Sequence, residues 1–172
     1  MKAVWKRIHA WLDENAPAGY GHLRPGATTD AIQAAEQAMG LKLPAEVKAS
    51  YRVHDGQSTE PGLIGGEGWC LLPIDDVGTW WRKWSERNQR FRACVPLAWG
   101  GTGDVIFIDL NPEAEAGGGS VIVQRSDTRA PDAVAPSFRL WLKDFADQLE
   151  DEEFAYSEAD GCLMYADEID LD

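Results

Sequence analysis

Three clusters in this sequence bring together residue types that carry chemistry in other proteins, and each lacks a part that the chemistry needs. Gly100-Gly101-Thr102-Gly103-Asp104 has the glycine content of a loop that cradles phosphate. It lacks the Lys-Ser/Thr pair of a P-loop, and the residues after it read as a strand, so no helix N-terminus stands behind it to hold an anion. A turn between two strands is expected there. Asp109, Asn111, Glu113 and Glu115 alternate like the opening of a calcium loop. Ala114 stands where that loop needs glycine, and Ser120 stands where it needs a bidentate glutamate. His54-Asp55 resembles a ligand pair of metal-dependent phosphohydrolases. Such a site needs several more His and Asp, and only His9 and His22 remain, both in or near the first predicted helix. The pair is expected to turn the chain at a helix end. With three histidines and no Ser or Cys in a nucleophile's setting, acyl transfer lacks a base. Cys70, Cys94 and Cys162 are an odd number without close spacing, which suits neither a disulfide framework nor a zinc site and fits a reducing compartment. The expectation is a chain that is not an enzyme, with no catalytic, metal-ligating or cofactor-binding residues.

The elements that would position any site follow from periodicity. Val4, Ile8, Trp11 and Leu12 make the stripe of a first helix that stops near Asn15. A second helix begins around Thr29 or Asp30 and ends at Gly40; Pro44 opens a third, closed by a turn at Asp55-Gly56. Glycines 62, 65, 66 and 68 flank a short strand from Trp69 to Leu72. Asp75 or Asp76 can cap a fourth helix, on which Val77, Trp80, Trp81, Trp84 and Phe91 share one face. Val95–Trp99, Val105–Leu110 and Ser120–Gln124 read as strands, the last two as a hairpin. Phe138, Trp141, Leu142, Phe145 and Leu149 define an amphipathic helix that follows Pro136. Beyond it, weak alternation around Asp160-Gly161 suggests a terminal hairpin. Helices first, strands next and a closing helix favour an α+β fold: one domain over 1–172, with a mostly antiparallel sheet packed by helices.

Charge narrows the partners. Of a net charge of −13, ten units fall in Glu150–Asp172, which carries ten carboxylates and no Lys or Arg, leaving −3 for the first 149 residues. An acidic chain is a poor ligand for nucleic acid or anionic lipid. No segment has the apolar length of a membrane span, and charged residues interrupt the N-terminus, so no signal peptide is expected and the cytoplasm is the expected compartment. The acidic segment 150–172 reads either as a solvated tail or as a surface for a basic partner, with Glu150, Asp151, Glu152, Glu153, Glu158 and Asp160 as its candidate contacts. Trp80, Trp81 and Trp84, flanked by arginines, read either as core or as partner-binding anchors.

The order of motifs carries a resemblance. Ile32, Glu36 and Gly40 lead to Leu43-Pro44, Tyr51 and His54-Asp55-Gly56. Pro96-Leu97-Ala98-Trp99, Ile108-Asp109, Val121-Ile122, Ser137-Phe138 and Trp141-Leu142 come after them. Over roughly residues 28 to 150 this resembles the SUKH superfamily. The resemblance implies an α+β fold with helices around a curved sheet and no catalytic residues to transfer. It implies, for a bacterial member, an immunity protein that neutralises a cognate protein toxin by direct binding. The alternative it implies is a regulatory or scaffolding module of the cell-wall-regulator type, with no toxin partner.

Overall fold

A computed structural model describes residues 1–58, 62–64, 68–114 and 118–167. Gly65, Gly66, Glu115 and the last three carboxylates of the acidic segment (Glu168, Asp170 and Asp172) lie outside the described residues. Helix α1 (Lys2–Asn15) buries Trp5, Ile8 and Leu12 and is followed by the short helix α2 (Pro17–Tyr20). Helix α3 (Thr29–Met39) is capped by Thr28, whose hydroxyl accepts from the Ala31 amide at 3.2 Å, one residue before the expected start. It ends at Gly40, whose φ of +67° is the left-handed conformation that a terminating glycine adopts without steric penalty. Glu36 of α3 is 5% exposed and ties the helix to the segment after Gly40, accepting from the Leu43 amide at 2.9 Å and pairing with Lys42 and Lys48. Burial pushes this carboxyl up, but the Leu43 amide and the two ammonium groups together hold it below the ordinary carboxylate range.

Helix α4 (Ala45–Tyr51) stops three residues before His54-Asp55, so the expected helix-end turn is a correction. These residues lie instead in strand β2 (His54–Gln57), paired antiparallel with β1 (Leu23–Pro25). Gly56 has φ +67°, and a Cβ there would sit 2.5 Å from the Pro73 nitrogen, so only glycine lets β2 cross so close to the next helix. That helix, α5 (Ile74–Arg87), holds Asp75 and Asp76 inside its first turn and not at its cap. The cap comes from afar: Asp55 Oδ1 accepts from the Ile74 amide at 2.7 Å.

A five-stranded antiparallel sheet runs β3 (Cys70–Leu71), β4 (Cys94–Trp99), β5 (Val105–Asp109), β6 (Ser120–Gln124) and β7 (Asp132–Ala135), each paired with its neighbour in sequence. Strands β4, β5 and β6 are buried on both faces, which explains why they read as continuous apolar runs. One face (Val95, Leu97, Ile106, Ile108, Val121, Val123) joins the main core with α6 (Phe138–Glu150), whose Leu142, Phe145 and Leu149 are buried. The other face (Cys94, Val105, Phe107, Ile122) forms a second cluster with Phe91, and the rings of Trp80, Trp84 and Trp99 pack on it. Phe91 lies beyond α5, in a 3₁₀ turn over Gln89–Ala93, yet it reaches the same cluster. Strand β7 escaped the sequence analysis because only Ala135 of its four residues is buried. The hairpin β8 (Phe154–Ser157) and β9 (Cys162–Tyr165) closes the described chain.

Candidate interaction surface

The clusters with chemical residue types resolve into structural roles. The glycine-rich loop is the expected turn between β4 and β5, closed by Gly103 N donating to Gly100 O at 3.0 Å and by Gly100 N donating to Asp104 O. Asp104 accepts from the Ser126 amide at 2.7 Å. In the calcium-like segment, Asp109 and Asn111 spend their side-chain oxygens on the amides of Asn111 and Glu113. Among the described residues no group of three or more His, Cys, Asp or Glu side chains is placed to hold a metal ion. Burial pushes the Cys94 thiol up to about 12, the reverse of what a nucleophile requires.

The three tryptophans of α5 are neither fully core nor fully free; all are half-buried. Trp80 stacks on Trp99 of β4, with ring centroids 6.0 Å apart and planes at 28°. Trp84 meets Phe91 and Phe107 edge-on at 5.2 and 5.5 Å, and its indole N–H is buried without an acceptor. Trp81 packs against the main core, and its indole donates to the Arg92 carbonyl at 3.2 Å. Lys83 lies 5.1 Å from the centre of the Trp80 ring and Arg87 lies 5.4 Å from that of Trp84, so cations line this face.

Over its described residues the acidic segment forms the expected terminal hairpin, with Asp151, Glu152, Glu153, Glu158 and Asp160 exposed. Glu150 is the last residue of α6, Asp151, Glu152 and Glu153 turn the chain into β8, and Glu158 and Asp160 occupy the β8–β9 turn. Phe154 and Leu163 of the hairpin are buried. Compensation comes from α1: the Arg7 guanidinium reaches Glu150 Oε1 and Asp147 Oδ1, both at 2.7 Å. Arg7 thereby holds the Glu150 carboxyl below its ordinary range; Lys143, then Arg7, do the same for Asp147. Between α1, α6 and the hairpin lies an open cavity of about 580 Å³ lined by Trp11, Phe154, Tyr156, Glu14, Glu150 and Glu152, an aromatic floor with an acidic rim. The structure does not join the two candidate regions into one site. Helix α5 packs on α3 and β4, whereas α6 packs on α1, α4, β7 and the hairpin.

One cluster escaped the sequence analysis. His9 of α1 and His54 of β2 meet at Nε2···Nε2 2.6 Å, 45 residues apart in the chain, with Trp5 against both rings. His54 Nδ1 lies 2.8 Å from the Arg24 carbonyl, which only accepts, so Nδ1 carries the proton. His54 Nε2 must then accept, and His9 Nε2 donates to it. Burial lowers the pKa of both rings; the charge of His54 lowers His9 further, while the Arg24 carbonyl partly offsets the effect at His54. The pair latches α1 to β2. His54 stood in the His54-Asp55 motif and His9 in the first helix, but nothing in their spacing joined the two; only the i, i+4 placement of His9 after Trp5 pointed toward a packed face.

The fold and these surfaces define an α+β chain without an evident catalytic constellation among its described residues. Comparison with known proteins then places it. Residues 26–144 match the model of the SMI1 / KNR4 family (SUKH-1), and the chain belongs to that family. It is 29% identical over 105 residues to F-box only protein 3 of Bos taurus, covering 56% of this chain and 22% of that protein. To the glucan synthesis regulatory protein of Neurospora crassa it is 29% identical over 94 residues, 53% of this chain and 17% of that one. To the cell wall biosynthesis/cell cycle regulator smi1 of Schizosaccharomyces pombe it is 26% identical over 193 residues, 92% of this chain and 38% of that one. The chain thus spans well under half the length of these relatives. Helix α1, the β8–β9 hairpin and the acidic residues from Glu150 onward lie outside the matched family span.

Proposed function

We propose that this chain is a protein-interaction module of the cell-wall-regulator type, acting by binding a protein partner and not by turning over a substrate. One observation carries this reading: a family match over most of the chain to a region that is only a fraction of larger proteins named as regulators. The geometry supports it. The α5 face offers four half-exposed tryptophan rings in Trp80, Trp81, Trp84 and Trp99, the residue type that anchors interfaces. The acidic end supplies a field that speeds encounter with a basic partner without setting the final contacts. The relatives carry names of glucan-synthesis and cell-wall regulators, so the regulator reading stands ahead of toxin neutralisation. Affinity purification of the tagged chain from its native cells, after mild cross-linking, tests it. Enrichment of a cellular regulatory or structural protein is expected. Capture of a secreted protein's toxin domain would replace the regulator reading with the immunity one. Enrichment of nothing beyond an unrelated acidic control would overturn the module reading.

A further inference from the structure

The second half of α5 and the 3₁₀ turn after it reverse the sign of the chain. From Trp80 to Arg92 five cations (Arg82, Lys83, Arg87, Arg90 and Arg92) stand against one carboxylate, Glu86, a net +4 in a chain of −13 that leaves −17 for the rest. All five cations are exposed. None pairs with a carboxylate among the described residues, whereas Arg7, Arg24, Lys48 and Lys143 elsewhere do. Lys83 follows Trp80 by three residues and Arg87 follows Trp84 by three, the spacing that lays one side chain over another on a helix. Their charges accordingly sit 5.1 and 5.4 Å from the ring centres, so ring and cation alternate along α5. Asp109 lines a cavity with Arg90 and Arg92, but it is 4% exposed and accepts from the Asn111 amide at 2.9 Å, which leaves both guanidinium groups to solvent. Asp75 and Asp76 lie in the first turn of α5, at its far end.

Exposed cations select an anion, and the half-exposed rings of Trp80, Trp81 and Trp84 between them select one that carries apolar groups. A small anion would meet the charges and leave the rings uncovered. A long polyanion such as RNA would run off the island onto parts of the chain that repel it. A short acidic peptide segment with interspersed apolar residues meets both conditions. Its carboxylates can take the planar fork of a guanidinium, and its apolar side chains can lie on the indoles. We propose that the second half of α5 and the 3₁₀ turn after it form a docking surface for such an acidic segment of a protein partner. The proposal rests on the module reading and names the chemistry of the partner. The acidic end lies on a separate part of the fold; it attracts the partner's basic parts and repels this segment, which turns the segment toward the island.

The test is an NMR titration of the full chain with a short, end-blocked peptide of Glu with interspersed Leu. Its controls are the counterpart with Gln in place of Glu and a short oligothymidylate. The expected result is saturable movement of the Trp80, Trp81 and Trp84 indole signals and of the backbone amides of residues 82–92, weaker with the Gln peptide and lost in 1 M salt. Lys83→Gln with Arg87→Gln should weaken binding of the acidic peptide about tenfold, the equivalent of 1.4 kcal/mol. Lys2→Gln with Lys6→Gln, at two exposed cations of α1, removes the same charge and should leave the affinity unchanged. Equal weakening by the two pairs, or no movement up to the solubility limit, would overturn the site. So would tighter binding of the oligothymidylate, which would make the island a nucleic-acid site. Movement of the same signals as the chain's own concentration rises would also overturn it, in favour of a second copy's acidic end. The two readings fail separately. A purified partner that binds the Lys83→Gln, Arg87→Gln variant as well as wild type removes this face and spares the module. A face that titrates as described in a chain that captures no partner does the opposite.

Discussion

Helix α5 meets the sheet through rings, whereas the C-terminal segment meets α1 through charges. At the first, Trp84, Phe91 and Phe107 interlock with centroids 4.8 to 5.5 Å apart, and Trp80 lies on Trp99. At the second, Arg7 of α1 answers Asp147 and Glu150 at the surface. Ring packing resists salt and pH, while exposed ion pairs are screened and contribute little to stability. The contrast assigns different work to the two regions. A rigid aromatic face is suited to seat a partner, and a charged, lightly held end is suited to attract one.

Breaking the aromatic side should cost most. Phe107→Ala, at a fully buried ring, should lose about 4 kcal/mol in urea unfolding, and Trp84→Ala about 3. Trp81→Ala should lose less, about 1 to 2, because its half-buried ring packs against the main core without joining the interlocked rings of Trp84, Phe91 and Phe107. Equal losses at Trp81 and Trp84 would erase the distinction between support and contact surface. Next comes the remote cap. Asp55→Ala removes the acceptor of the Ile74 amide and should cost about 2 kcal/mol, while Asp75→Ala stays within about 0.5. The reverse ranking would place the cap in the first turn after all.

The histidine latch should show a smaller effect that depends on pH. Both rings have folded-state pKa values below the unfolded value of 6.5. Between those values the unfolded chain binds protons that the folded chain refuses, so stability is full above pH 6.5 and falls as pH drops through the window below it. His9→Leu should flatten that fall in a series of melts from pH 7.5 downward; an unchanged slope would show that the pair does not titrate as described. Smallest of all is the Arg7 contact. Arg7→Ala should lower the melting temperature slightly in low salt and not measurably in 1 M salt. A loss that persists in high salt would mean that α1 is held to α6 by more than charge at this point.

Much of this was legible in the sequence where the cause is local. The 3.6-residue stripe of α6, the left-handed Gly40 and the β5–β6 hairpin follow from period and turn chemistry, and they stand as expected. What escaped has a long-range cause. Asp55 caps a helix 19 residues onward, so its neighbour Gly56 looked like a turn and the acids at 75 and 76 looked like caps. Arg7 lies 143 residues from Glu150, so the acidic end looked uncompensated. His9 and His54 became a pair only when α1 packed on β2. Periodicity grouped the tryptophans of α5 on one stripe but could not show that Trp84 packs on the Phe91–Phe107 cluster while Trp81 packs against the main core.

The central claim is that a protein partner seats on the tryptophan face while the acidic end only speeds its arrival. Hydrogen–deuterium exchange of the chain, with and without a partner captured from native cells, tests it most directly. The account predicts new protection in the last two turns of α5 and in the 3₁₀ turn after it, with little change across residues 150–167. Protection confined to residues 150–167, or none anywhere, would contradict it.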